Sequence, residues 1–128
     1  MKSTELIAEG RAFLNEYVAL WGSDQFASLY HAPCVTLRAD GSIHCFQSPE
    51  EIDRFFKGVA QTYHNEGARR WEVQNLDVVP LGGRSALITL DWEMSREDGS
   101  LIRRWRQSYN VVRIQGRFRV LTSTFHIG

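Results

Sequence analysis

Asp77, Tyr109 and His126 are the side chains of this sequence best suited to moving protons, and strand parity directs all three toward one apolar sheet face. A carboxylate on such a face loses hydration, so its pKa rises and it can act as a general base beside a carbonyl. A tyrosine hydroxyl can donate to the oxyanion that develops, and an imidazole that titrates near neutrality can give or take the proton. Asp77 is therefore the expected base, with Tyr109 and His126 as polarising or proton-donating groups. The alternatives are structural: a bulge or sheet edge turns Asp77 to water, Tyr109 is core, and His126 is a partly solvated histidine.

Trp21, Trp92 and Trp105 can wall a ring-shaped or otherwise apolar ligand, although tryptophans at such positions equally serve as core. Gln107, Asn75 and Thr124 fall in one expected row and could orient a polar group, while Tyr30 is a further hydroxyl donor. Arg103 falls on the same face near its rim, where it either binds a carboxylate or snorkels to water. His31, His44, His64 and His126 share no HxH, HxxxH or histidine–carboxylate spacing, so no metal site is expected. Cys34 and Cys45 read as reduced, small buried hydrophobes rather than ligands. No serine or cysteine sits in a nucleophile elbow, and the glycines mark turns rather than a phosphate-cradling loop. Phosphoryl and nucleotide chemistry are disfavoured, and no cofactor is expected.

Fifteen basic and fifteen acidic residues balance to zero net charge, which encodes neither a nucleic-acid footprint nor attraction to an anionic membrane. A chain of 128 residues is expected to form one domain, 1–128, with a core that needs no staple. MKSTELIAEG lacks an apolar leader run and no stretch is long enough to span a bilayer, so a cytoplasmic location is expected.

The elements that must position these residues follow from periodicity. Leu6, Gly10, Phe13, Leu14, Tyr17, Val18 and Trp21 give a helix over 4–21, capped by Ser3 or Thr4 and ended by Gly22. A short helix carries Phe26, Leu29 and Tyr30 and closes before Pro33. CVTLRA and SIHCF form a hairpin about Asp40-Gly41, which sets His44 opposite Leu37. SPEE at 48–51 announces a capped helix with the stripe Ile52, Phe55, Phe56, Val59 and Tyr63, ending at Gly67. Residues 70–80, 84–96, 101–114 and 117–127 then alternate as strands of an antiparallel meander, joined by Gly82-Gly83, Asp98-Gly99 and Gln115-Gly116.

Two-residue turns at those sites fix the register. Glu93 then faces Arg104, Asp91 faces Arg106 and Thr89 faces Ser108, while on the other face Val73, Trp92, Trp105 and His126 form a row. The next rows are Asn75, Leu90, Gln107 and Thr124, and Asp77, Ile88, Tyr109 and Thr122. A bulge, expected near Pro80 if anywhere, would shift them.

The order of these elements, the segment FQSPEEIDRFF, the strand entry LGGRSALITLDW and the run GRFRVLTSTFH together resemble the SnoaL-like, ketosteroid-isomerase-like members of the nuclear transport factor 2-like superfamily. The likeness covers nearly the whole chain. Phe118 stands where many relatives carry tryptophan, and Thr124 where many carry a histidine, with His126 two residues on. The resemblance implies an α+β fold, a cone-shaped, curved antiparallel sheet wrapped over N-terminal helices in a cystatin-type roll, with an apolar pocket in its concave face. It implies no single activity, since this fold hosts isomerases, dehydratases, cyclases, epoxide hydrolases and binding proteins. No complete catalytic set is matched, so none is carried over.

The expected function is a small-molecule pocket, working by acid/base chemistry on a small apolar substrate. The alternative is a non-catalytic ligand-binding or dimerisation module. Leu76, Val78, Leu87, Leu121, Phe125 and Ile127 are expected between charged pairs on the convex face, which suits a two-fold homodimer. Light scattering at micromolar concentration should then give twice the chain mass, and a clean monomer would exclude that arrangement.

Overall fold

The computed structural model describes residues 3–128. Helix α1, Ser3–Leu20, buries Leu6, Phe13, Leu14 and Tyr17, the stripe its spacing predicts. Ser3 and Thr4 already belong to the helix, so whatever caps it lies outside the described residues. Gly10 lets α1 approach the sheet closely: a Cβ there would stand 2.8 Å from Val78 Cγ2. A short 3-10 turn, Phe26–Leu29, follows. Tyr30 does not continue it but opens strand β1, Tyr30–Leu37, which also contains Pro33.

Strand β2, Ile43–Phe46, returns from a turn that differs from the expected two-residue one. Arg38 N–H donates to Ser42 O, leaving residues 39–41 as the loop with Gly41 at φ +85°. Leu37 therefore faces Ile43, and His44 faces Thr36 rather than Leu37. Cys34 is buried, and Cys45, expected buried, is exposed; both are free thiols. Helix α2, Pro49–Asn65, starts as SPEE predicts, with Glu51 N–H donating to Ser48 Oγ at 3.2 Å. Glu51 reaches back one residue further than a standard capping box, accepting from Gln47 N–H.

Strands β3 (Arg70–Leu81), β4 (Ser85–Ser95), β5 (Leu101–Ile114) and β6 (Arg117–Phe125) form the expected meander. The six-stranded curved sheet runs β2-β1-β6-β5-β4-β3, giving the expected α+β layout. Only β1 and β6 pair in parallel; the other neighbours are antiparallel.

Between β4 and β5 the expected pairs all occur, but for a different local reason. Arg96 N–H bonds Ser100 O, so residues 97–99 form the loop, and a bulge at Ile102 then restores the register. β3 and β6 each carry a bulge that changes which residues face inward. On β3, Asn75 and Leu76 together oppose one residue of β4, with Asn75 at φ +51°, a left-handed conformation that asparagine tolerates. Beyond it Asp77 faces Thr89 and Val78 faces Ile88, the reverse of the expected parity. On β6 the extra residue is Leu121, so Ser123 faces Tyr109 and Phe125 faces Gln107. Leu76, Val78 and Phe125 pack inward instead of forming the outer apolar surface expected of them.

The outer face is held by charge. Asp91 accepts from Asn75 Nδ2 at 2.7 Å, Arg104 at 3.0 Å and Arg106 at 3.1 Å, and Arg104 also pairs with Glu93. The Asn75 amide first, then the two guanidiniums, hold the Asp91 carboxyl at about 2 against the upward push of partial burial. Its folded pKa lies below that of the unfolded chain, so the unfolded state takes up the proton first as pH falls. The contribution, about 2 kcal/mol for a shift of this size, is complete above roughly pH 4 and gone near pH 2. Asp91→Asn should therefore lower the melting temperature at pH 7 and flatten the acid limb of stability between those limits, measured by thermal unfolding across pH.

Candidate functional site

The concave face and the two helices enclose a cavity walled by rings. α1 and the residue just after it contribute Tyr17, Val18 and Trp21, and α2 contributes Phe56, Val59 and Tyr63. The sheet adds Trp71, Trp92, Trp105, Gln107, Tyr109 and Phe125, and Arg38 enters from the end of β1. The aromatic walls are in contact: Trp21 with Trp71 at 5.6 Å between centroids, Tyr63 with Trp105 at 6.2 Å, and Trp105 stacked on Phe125 at 5.6 Å. The free volume is about 30 Å³, room for a water or two but not for an organic ligand until a ring moves.

Two polar chains lie against this cavity. Trp92 Nε1–H donates to Tyr109 Oη at 2.9 Å, the Tyr109 and Tyr17 rings meet edge-on at 5.4 Å between centroids, and the Tyr17 and Tyr30 hydroxyls stand 2.6 Å apart. Burial raises all three tyrosines well above the ordinary phenol pKa, with the mutual proximity of their hydroxyls adding to it. They are neutral donors at physiological pH, not bases. In the second chain Trp105 Nε1–H donates to Gln107 Oε1 at 2.9 Å, Gln107 Nε2–H to Ser123 Oγ at 3.0 Å, and Ser123 meets Thr36 Oγ1 at 3.0 Å. Every member of that second chain but Trp105 is buried, so its polar atoms are satisfied within the fold.

Of the residues singled out in the sequence, Trp21, Trp92, Trp105, Gln107 and Tyr109 all line the cavity. Tyr30 is buried one hydroxyl behind Tyr17. Five others do not reach it. The β3 bulge turns Asn75 and Asp77 outward, Asn75 onto Asp91 and Asp77 exposed opposite Thr89. The β6 bulge does the same to Thr124 and His126, and Ser123 and Phe125 take the inward places. Asp77 thus belongs to an outer row with Thr89, Ser108 and Thr124, onto which the exposed His126 reaches, with Ser108 Oγ 2.7 Å from His126 Nε2 and 2.8 Å from Thr89 Oγ1. No wall encloses that row. Arg103 faces Met94 as the register predicts, but its charge goes to Glu66 at 2.7 Å, with Tyr63 5.8 Å from its guanidinium.

Arg38, Trp71, Tyr63, Tyr17 and Phe125 were not among the candidate ligand-binding residues. Strand parity alone could have found two of them: Arg38 shares the inward parity of Cys34 and Thr36, and Trp71 that of Val73. Phe125 needed the bulge. Among the described residues no three His, Cys, Asp or Glu side chains are grouped to hold a metal ion, and no helix is long and apolar enough to cross a membrane.

The family model described as NTF2-like protein (DUF6841) matches residues 8–127. The chain belongs to this family. No curated protein matches the sequence. Among solved structures this NTF2-like chain is similar to Aln2 from a Streptomyces species, with TM-score 0.75 and 19% identity, covering 98% of this chain and 93% of that one. It is also similar to a cystatin-like domain of unknown function from Nostoc punctiforme, at TM-score 0.71 and 18% identity over 97% and 78% of the two chains. A third likeness is an NTF2-like protein of unknown function from Shewanella oneidensis, at 0.68 and 11% over 91% and 94%. At such identities the likeness is one of fold.

Tyr109→Phe strands the Trp92 indole N–H in the core, and a loss of roughly 1–3 kcal/mol is expected by denaturant unfolding. Asp77→Asn and His126→Ala, on the open outer face, should each change stability by no more than about 0.5 kcal/mol.

Proposed function

We propose that this NTF2-like chain is a ligand-binding protein whose aromatic cage closes on a small, flat, largely apolar molecule. One observation carries the reading: four tryptophans and three tyrosines converge on one cavity whose lining contains no carboxylate and no imidazole. Acid/base catalysis needs a group that exchanges a proton near neutral pH, and burial pushes Tyr17 and Tyr109 further from that range. Of the expected catalytic residues, Tyr109 alone lines the cavity, where it serves as a neutral hydrogen-bonding group. The non-catalytic alternative is thus the better supported one.

The small free volume describes a closed cage. A flat ligand would enter by displacing Trp105 or Tyr63, which are half-buried on its outer side, while Trp92 and Tyr109 stay fixed by their hydrogen bond. Pre-formed, immobile inner walls with a mobile outer wall keep the ordering cost of binding low.

Native mass spectrometry of the protein as purified is expected to show a retained small molecule. Added flat aromatics should shift the tryptophan emission, and Trp105→Ala should weaken their binding by roughly tenfold or more. A ligand-free mass together with unchanged emission across a panel of flat aromatics would remove the basis for this function.

A further inference from the structure

Arg38 is the cation of the cavity wall, and nothing in the fold neutralises it. Five other guanidiniums are paired with carboxylates: Arg103 with Glu66, Arg104 and Arg106 with Asp91, Arg113 with Glu9, and Arg117 with Glu16; the remaining arginines line no part of this cavity, and all of them but Arg119 are exposed. Among the described residues Arg38 has no carboxylate within bonding distance, although it is half-buried. Its hydrogen bond to a side chain is a long one, 3.3 Å from Nη2 to the Tyr63 hydroxyl. A guanidinium offers five N–H donors in one plane, so most of its capacity is left over.

The head is nevertheless held in place. Its carbon lies 4.6 Å from the Phe125 ring centroid and 5.5 Å from that of Phe55. Cation–π contact engages the faces of the guanidinium, whereas a carboxylate binds in its plane through two parallel N–H···O bonds, so the two are compatible. Two ring faces thus hold the guanidinium at the cavity wall while most of its donors stay free, which is the preorganisation an anion site needs. Of the other polar side chains of the wall, Gln107 is already bonded to Trp105 and Ser123, Tyr17 to Tyr30, Tyr109 to Trp92, and Tyr63 accepts from Arg38 itself. Recognition of a polar ligand end falls to Arg38.

We propose that Arg38 is an anion subsite, and that the ligand class of this pocket is a flat aromatic or similarly planar apolar acid whose carboxylate pairs with the Arg38 guanidinium while its ring enters the tryptophan cage. The inference rests on the proposed ligand-binding function and adds the chemical class of the ligand. It also gives the half-buried charge a partner that the chain itself does not supply.

Isothermal titration of the full chain with 2-naphthoate and with its neutral isostere 2-naphthamide tests this. The carboxylate should bind roughly tenfold tighter or more, as expected for a charge-assisted bidentate pair. Arg38→Met should abolish the preference while leaving the amide affinity within about threefold, which also reports that the variant is folded. Should Arg38→Met fail to fold, Arg38→Lys keeps the charge without the planar fork, and a reduced preference there supports the subsite. Equal affinity of wild type for the two probes would overturn the subsite and leave the pocket standing. A preference that survives in Arg38→Met, or in Arg38→Lys where the methionine variant does not fold, would overturn the role of Arg38. If neither probe binds the wild type, the pocket function fails and the subsite with it.

Discussion

Side chains along a strand alternate between faces, and every bulge reverses that alternation for all residues beyond it. β3 and β6 each contain a bulge of this kind, at Asn75–Leu76 and at Leu121, and the character of the concave face depends on the pair. The first puts Leu76 and Val78 inside and Asp77 outside; the second puts Ser123 and Phe125 inside and His126 outside. An interior that would otherwise have held an acid and an imidazole holds rings and a serine. The same two shifts add Asp77 and His126 to an outer surface that the β4–β5 register already charges around Asp91.

An acid-free interior gives the remaining polar groups their properties. With no carboxylate to share protons, the Tyr17 and Tyr30 hydroxyls bond to each other and the Tyr109 hydroxyl to the Trp92 indole, and burial keeps them neutral. The Gln107, Ser123 and Thr36 chain is likewise closed on itself. Arg38 differs because its contacts are mostly with ring faces, which orient a guanidinium without satisfying its donors. Rigidity and unsatisfied capacity therefore coincide at one side chain.

Much of the frame was legible from local signals. Ser48, Pro49 and Glu51 mark the start of α2 because capping acts within four residues, and the pairing of Trp92 with Trp105 and of Asp91 with Arg106 was readable from a single hairpin. That hairpin also shows how a correct register can arise from an incorrect turn: the loop is one residue longer than Asp98-Gly99 implies, and the bulge at Ile102 cancels the difference. No such cancellation occurs at Leu121, so Thr124 and His126 were placed on the wrong face. A bulge leaves little mark in sequence when the flanking residues, here Val120 and Thr122, are as strand-like as any others. Asn75 was the one local hint, since a left-handed conformation falls to asparagine more readily than to most residues.

By itself the sequence determined the α+β layout, the two helices, the strand order of the meander and the inward direction of Trp92, Trp105, Gln107 and Tyr109, because each follows from periodicity and capping over short stretches. The tertiary structure alone decided that β1 joins β6 in parallel, that two bulges remove Asp77 and His126 from the pocket, and that Arg38 stands against Phe55 and Phe125. Those outcomes depend on contacts between segments far apart in the chain, where packing of rings against the helices outweighs the parity that any one strand would keep alone.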